Sequence, residues 1–146
     1  MRRPASVLFA CTQNSVRSPM AEAILKQLQR SRIFVDSAGL RSEPIDPFAI
    51  VIMAEIGLDL SRHRSKSFDE LEDTSFDLIV TLSPEAHHRA LEMTRTMAVD
   101  VEYWPTFDPT IVEGSRPVRL EAYRAVRDGL WDRIAARFPG LPTPAP

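Results

Sequence analysis

The chain of 146 residues contains one cysteine, Cys11. A lone thiol excludes an intrachain disulfide framework and any multi-cysteine zinc site, so Cys11 is either an inert buried residue or a chemical group. Long apolar runs are also missing. The stretch from Val7 to Ala10, behind Met-Arg-Arg-Pro, is too short for the core of a secretion signal and far too short to cross a bilayer. A cytoplasmic location with no membrane partner is therefore expected. There is no excess of positive charge: 18 Lys and Arg face 20 Asp and Glu, for a net charge of −2. That balance argues against the broad electropositive face needed to bind nucleic acid nonspecifically. No repeat or interior linker divides the chain. With 44% hydrophobic and 26% charged residues, it fits one globular domain, expected over residues 1–138. The Pro-rich segment 139–146 reads as a disordered tail.

Four short apolar or β-branched runs predict strands at Ser6 to Ala10, Ile33 to Asp36, Phe76 to Leu82 and Val99 to Trp104. Nearly continuous apolarity suits parallel strands buried on both faces. Helices are predicted between them. Ser18-Pro19, Asp46-Pro47 and Ser83-Pro84 each place a capping oxygen before a helix-opening proline, with ends near Arg30, Glu55 and Met93. Ser67 to Glu70 reads as a capping box for a shorter helix. A last helix, from about Pro117 to Arg137, carries Leu120, Tyr123, Val126, Leu130, Ile134 and Phe138 on one side. Gly129 weakens it by roughly 1 kcal/mol relative to alanine. The alternation predicts an α/β domain: an open four-stranded parallel sheet with helices on both faces and right-handed crossovers. Ligands bind such sheets at the carboxyl ends of the strands.

At that end of the first strand stands Cys11-Thr12-Gln13-Asn14-Ser15-Val16-Arg17-Ser18-Pro19. A strand, a short polar loop and a helix start together direct successive backbone N–H groups and a helix N-terminus at one spot, which suits an anion. No proline removes a donor between Thr12 and Ser18. Asn14 suits a left-handed turn, and Arg17 offers a planar fork of donors matched to two phosphate oxygens. A cysteine nucleophile reacts as the thiolate, and a helix terminus contributes only about 0.3–1 kcal/mol towards holding one. The N–H groups, Arg17 and the Ser18 hydroxyl would have to supply the rest. The alternative is a core cysteine, a solvated Arg17 and a Ser18 that merely caps a helix.

This segment resembles the phosphate-binding loop of the low-molecular-weight protein tyrosine phosphatases and the related arsenate reductases, Cys-x-Gly-Asn-x-Cys-Arg-Ser-Pro. Ser37-Ala38-Gly39, the stretch Gly57 to Lys66 containing His63, and Phe76-Asp77-Leu78-Ile79-Val80 resemble further family segments in the same order. The resemblance implies a phosphate loop of Thr12, Gln13, Asn14, Ser15, Val16, Arg17 and Ser18. Asn14, Ser18, Ser37 and His63 would be its hydrogen-bonded support. On its residues alone, Arg62 to Lys66 reads as a solvated basic stretch. Asp108-Pro109 resembles the family's Asp-Pro, whose carboxyl protonates the leaving oxygen, although an aspartate before proline is also a common turn residue. Trp104 and Phe107 are candidates for an aryl pocket, with core packing the expected role of Trp104. Thr12, Gln13, Pro44 to Phe48 and Phe107 are its expected walls.

By this resemblance the chain is a cysteine-dependent phosphatase acting on a phosphorylated protein or a small phosphate ester. Cys11, Arg17 and Asp108 would be catalytic, with no metal and no organic cofactor. Three departures matter. Gln13 replaces a glycine of the loop. Val16 replaces a second loop cysteine able to protect the nucleophile, so an oxidised Cys11 would need an external thiol. Thr110 and Ile111 replace the tyrosine pair of many members. Arsenate reduction is the first rival, restricted by the single cysteine to an external small thiol. A non-catalytic binder of phosphorylated ligands is the second.

Overall fold

A computed structural model describes residues 4–72 and 75–139. Strands β1 (Ser6–Cys11), β2 (Phe34–Gly39), β3 (Leu78–Thr81) and β4 (Asp100–Tyr103) form one sheet in the order β2-β1-β3-β4, every neighbouring pair parallel. Helices α1 (Arg17–Gln29), α2 (Pro47–Ala54), α3 (Pro84–Met93) and α4 (Arg116–Arg137) provide the crossovers and the cover.

The near-continuous apolarity of β1 has a direct physical cause. Val7 and Phe9 face a core shared with Met20, Ile24, Ile52, Leu130 and Ile134, whereas Leu8 and Ala10 face a second core with Phe68, Ile79, Ala86 and Ala90. Thus α1, α2 and α4 cover one face of the sheet and α3 covers the other. Successive side chains of a strand alternate faces, so both must be apolar when both are covered.

Register then builds the functional edge. Cys11 pairs with Gly39, Ala10 with Thr81, and Thr81 with Tyr103. Four strands therefore end in line, and the segments that follow them gather at one rim. Connections from β1 and β3 leave towards opposite faces there, which is where open α/β sheets form their ligand crevice.

Most local signals appear as expected, with four corrections. Asp46 and Ser83 cap α2 and α3 by accepting from Phe48 N and Ala86 N. The first helix, in contrast, starts at Arg17 behind Val16, without a side-chain cap. Ser18 lies inside that helix because its hydroxyl serves the thiol instead. The second strand runs Phe34–Gly39 rather than ending at Asp36. Its last residues pair with β1 although Ser37 is polar, because Ser37 has buried partners. The third strand is confined to Leu78–Thr81. At Ser67 the capping box is present but opens only a 3-10 turn, Phe68–Glu70. Gly129 leaves α4 unbroken. Of the expected Pro-rich tail, residues 140–146 lie outside the described residues.

Candidate active site

Between β1 and α1 the chain turns through Thr12 to Val16 with Asn14 in the left-handed region, φ 53°. Four carbonyls of this turn are taken up by the segments around it, and the fifth, Val16 O, accepts from Met20 N in the first turn of α1. Thr12 O accepts from Arg41 N at 3.2 Å, Gln13 O from Glu43 N at 3.0 Å, Asn14 O from Ser65 Oγ at 2.7 Å and Ser15 O from Asp46 N at 3.0 Å. In a planar trans peptide the N–H points opposite to the C=O of the same plane. No cis bond occurs among the described residues. Pinning those four carbonyls outward therefore turns the N–H groups of Gln13, Asn14, Ser15 and Val16 inward, towards the hollow beside Cys11. The anion cradle follows from the outer hydrogen bonds.

Beneath the loop lies a buried polar network. Lys66 N, which can only donate, reaches Asn14 Oδ1 at 2.9 Å, and this orients the amide. The amide nitrogen of Asn14 then donates to Ser18 Oγ at 2.8 Å and to Ser37 Oγ at 2.9 Å. His63 Nε2 lies 3.1 Å from the same Oδ1 and must carry its proton there. Ser37 Oγ donates onward to Glu22 Oε1 at 2.5 Å. Since Ser18 Oγ accepts from Asn14, its own hydrogen is left to donate to Cys11 Sγ, 2.8 Å away. The donors are thus ordered so that the last one points at sulfur, the arrangement that stabilises a thiolate.

Asn14, Ser18, Ser37 and His63 are therefore brought together as a group. His63 is far from the solvated role that its basic neighbours suggest, with its side chain 9% exposed. Burial is the larger influence on its imidazole and pulls the pKa below the ordinary histidine value, while the Glu22 carboxylate, 3.8 Å from Nδ1, pulls the other way. Glu22 is the site residue that sequence reasoning missed. A carboxylate one turn into an amphipathic helix reads as solvated, yet it is buried and shared among Ser37, Lys26 and His63. Its spacing of four from Ser18, which puts both on one side of α1, is the signal that could have found it.

Arg17 opens α1 and turns back across the rim. Its Nη1 donates to Thr106 O at 3.0 Å, leaving the Nε and Nη2 edge of the fork for two anion oxygens. Thr106 belongs to the segment after β4 that carries Asp108. Asp108 caps a 3-10 turn, Pro109–Ile111, and accepts at Oδ1 from Thr110 N at 3.0 Å and Thr110 Oγ1 at 2.7 Å. Asp108 thus plays the turn role and also stands on the rim beside the loop arginine's anchor. Trp104 packs in the core, edge-on to Phe9, whereas Phe107 stands exposed. The segment Pro44 to Phe48 flanks the loop, held by Asp46 N on Ser15 O. Tyr123 of α4 donates to Asp46 Oδ2 at 2.8 Å, and burial together with that bond raises its pKa well above the ordinary phenol value. Among the described residues there is no cluster of three or more His, Cys, Asp or Glu that could hold a metal.

A cysteine over a ring of inward N–H groups, closed by an arginine and supported by Asn, Ser and His, can hold a tetrahedral oxyanion against a thiolate. The sequence model of the low-molecular-weight phosphotyrosine protein phosphatases matches residues 6–135. The chain belongs to that family. Members close to it bear different names. An arsenate reductase of Bacillus subtilis is 34% identical over 128 residues, 88% of this chain and 91% of the relative. A glutaredoxin arsenate reductase of Synechocystis is 33% identical over 129 residues, 88% of this chain and 92% of the relative. Among solved structures, a protein tyrosine phosphatase superposes with a TM-score of 0.72 at 28% identity, covering 90% of this chain and 91% of the other. The family, its fold and its catalytic cysteine chemistry are thus common ground. No helix among the described residues is long and apolar enough to cross a membrane.

Proposed function

We propose that this family member is a phosphate-monoester hydrolase working through a phosphocysteine intermediate. The observation that carries the reading is the Ser18 hydroxyl 2.8 Å from Cys11 Sγ, at the end of a network of donors directed at sulfur. In the first step the Cys11 thiolate attacks phosphorus as the bond to the leaving oxygen breaks, and Asp108 delivers its proton to that oxygen. The loop N–H groups and Arg17 hold the equatorial oxygens. In the second step Asp108 takes a proton from water as the water oxygen attacks phosphorus, releasing phosphate and restoring the thiolate. Nothing is oxidised or reduced, so no cofactor and no second thiol are required. With both bonds from Thr110 falling on Oδ1, Asp108 Oδ2 is the oxygen that carries the proton.

Arsenate reduction is the second reading, favoured by the names of the two relatives. Reducing arsenate by two electrons oxidises two thiols to a disulfide, and this chain has one. The second thiol would come from an external small thiol. A non-catalytic binder is disfavoured because nucleophile and candidate acid are both retained. The cytoplasm and residues 1–138 as the folded unit belong to the same proposal.

One assay separates the readings: hydrolysis of an aryl phosphate and thiol-dependent loss of arsenate, in wild type, Cys11→Ser and Asp108→Asn. Hydrolysis abolished in Cys11→Ser and reduced most for poor leaving groups in Asp108→Asn is the expected result. Thiol-dependent arsenate loss without hydrolysis would reverse the order of the two enzymatic readings. Phosphate binding with turnover of neither substrate would favour the binder.

A further inference from the structure

The rim around the cradle is electrically polarised. On the α3 side, Thr12 Oγ1 lies 3.1 Å from Ser83 Oγ and 3.4 Å from Glu85 Oε2, so an exposed carboxylate borders the loop. The α4 side carries the opposite charge. The Cζ atoms of Arg116 and Arg119 stand 5.1 and 4.6 Å from the centroid of Phe48, two residues beyond the Asp46 that holds the loop carbonyl of Ser15. Phe48 rests edge-on against Tyr123, at 5.5 Å between centroids, and Tyr123 is bonded to Asp46. The two guanidiniums are thereby fixed one side-chain layer from the phosphate loop.

Their charge is uncommitted. Of the other arginines of α4, Arg124 and Arg127 pair with Glu55 and Arg137 with Glu102, Arg124 also takes up Glu121, and Arg133, farther along the helix, rests on the Trp104 ring. Among the described residues, Arg116 and Arg119 have an aromatic face but no carboxylate within ion-pair distance. Glu121, two residues beyond Arg119, is taken up by Arg124, and Glu113 lies in the turn before α4. Exposed apolar side chains lie at the same end: Phe107 beside Asp108 (55% exposed), Ile111 closing its 3-10 turn (65%), and Val118 between the two arginines (54%).

Resting on the hydrolase reading, we infer that the substrate is a phosphorylated protein segment with acidic residues flanking the phosphorylated side chain, its carboxylates directed to Arg116 and Arg119. The occupant is set by charge complementarity: a carboxylate on the α4 side meets two unpaired guanidiniums, and one on the α3 side meets Glu85. Arginine on an aromatic face loses little freedom when it forms such a bond, and the exposed apolar residues give the segment a surface to lie on. Rim ion pairs are individually weak, about 2–5-fold each, and are screened by salt. Two together give a preference of about 5–20-fold at low ionic strength.

The test is binding rather than turnover, so that it stands apart from the catalytic reading. Cys11→Ser protein is titrated with two fluorescein-labelled phosphotyrosine peptides, identical except that flanking Asp and Glu in one are Asn and Gln in the other. The acidic peptide should bind about 5–20-fold more tightly at low salt, and the preference should shrink at high salt. Adding Arg116→Gln and Arg119→Gln should erase it, while Arg119→Lys, which keeps the charge, should retain most of it. Equal affinities, a preference that survives the double replacement, or binding of neither peptide would each overturn the inference. Wild-type hydrolysis of a small aryl phosphate judges the hydrolase reading separately, since that ester cannot reach the two arginines.

Discussion

Arg17 Nη1 donates to the carbonyl of Thr106 at 3.0 Å, so the arginine of the phosphate loop and the segment bearing Asp108 are positioned by one another. A lysine at 17 would keep the charge but lose both the planar fork and the reach to Thr106. Arg17→Lys is therefore expected to lower kcat/KM for an aryl phosphate by at least about 100-fold, from the loss of a charge-assisted bidentate pair. Steady-state kinetics checks this, with thermal unfolding as a control for intact folding. A loss under about fivefold would mean that charge alone suffices.

Ser18→Ala tests the end of the donor network. The hydroxyl lies 2.8 Å from the sulfur and 2.8 Å from the Asn14 amide, and hydrogen bonds to a charged partner are worth about 1.5–3 kcal/mol. Alkylation of Cys11 by iodoacetamide at neutral pH should slow about 10-fold or more, because the thiolate loses its donor. The variant also strands one hydrogen of the Asn14 amide in a buried site, so a modest fall in thermal stability should accompany it. Unchanged alkylation would show that the loop N–H groups hold the thiolate without help.

How much of this was legible before the structure depended on how local each signal is. Prolines after Asp46 and Ser83 announce helix starts through bonds two or three residues away, and both helices begin there. Periodicity gave α4 its buried face. Ser18 looked identical to those caps in sequence, and its bond to Cys11 was reached only through the chemical need for a donor to the thiolate, because a partner seven residues away across a turn has no periodic signature. The extension of β2 through Ser37 was hidden for a related reason: a polar residue extends a buried strand only if distant groups satisfy it, and here Asn14 and Glu22 do. Glu22 and Arg17 show the same limit. Their residue types were visible, whereas Glu22's tie to Ser37 and Arg17's tie to Thr106 exist only once the sheet is assembled.

Gly39 marks where that assembly is tightest. A Cβ there would stand 2.7 Å from Arg41 O, 2.8 Å from Asn14 N and 2.9 Å from Gln13 C, all of them backbone atoms. Backbone cannot move aside as a flexible side chain can. Gly39→Ala must therefore push the phosphate loop away from β2, at a cost of about 1–3 kcal/mol of overpacking. Urea unfolding should show that loss, and kcat/KM should fall by more than stability alone explains, since Asn14 N is one of the inward donors. The contrasting substitution is Gly129→Ala, where nothing lies within 4 Å of an added Cβ and the helix should gain up to about 1 kcal/mol.

Away from the site, Glu55 binds α4 to α2 by accepting from both Arg124 and Arg127, with contacts of 2.8 Å to each. Those hydrogen bonds hold its pKa at about 2, below its ordinary value of 4.5. A carboxylate whose pKa is lower folded than unfolded favours the folded state fully above its unfolded value. That contribution drains away as pH falls through the folded value, because the unfolded chain takes up the proton first. The window here runs from about 4.5 down to about 2. The carboxylate is partly solvent-exposed, so the effect is softened by screening and should weaken further in high salt. Unfolding free energies measured between pH 6 and pH 2 should decline more steeply in wild type than in Glu55→Gln, and the two curves should converge towards the acid end. Parallel curves across that range would mean that the Arg124 and Arg127 pairs contribute no pH-dependent stability, and that packing of α4 on α2 holds the two helices together.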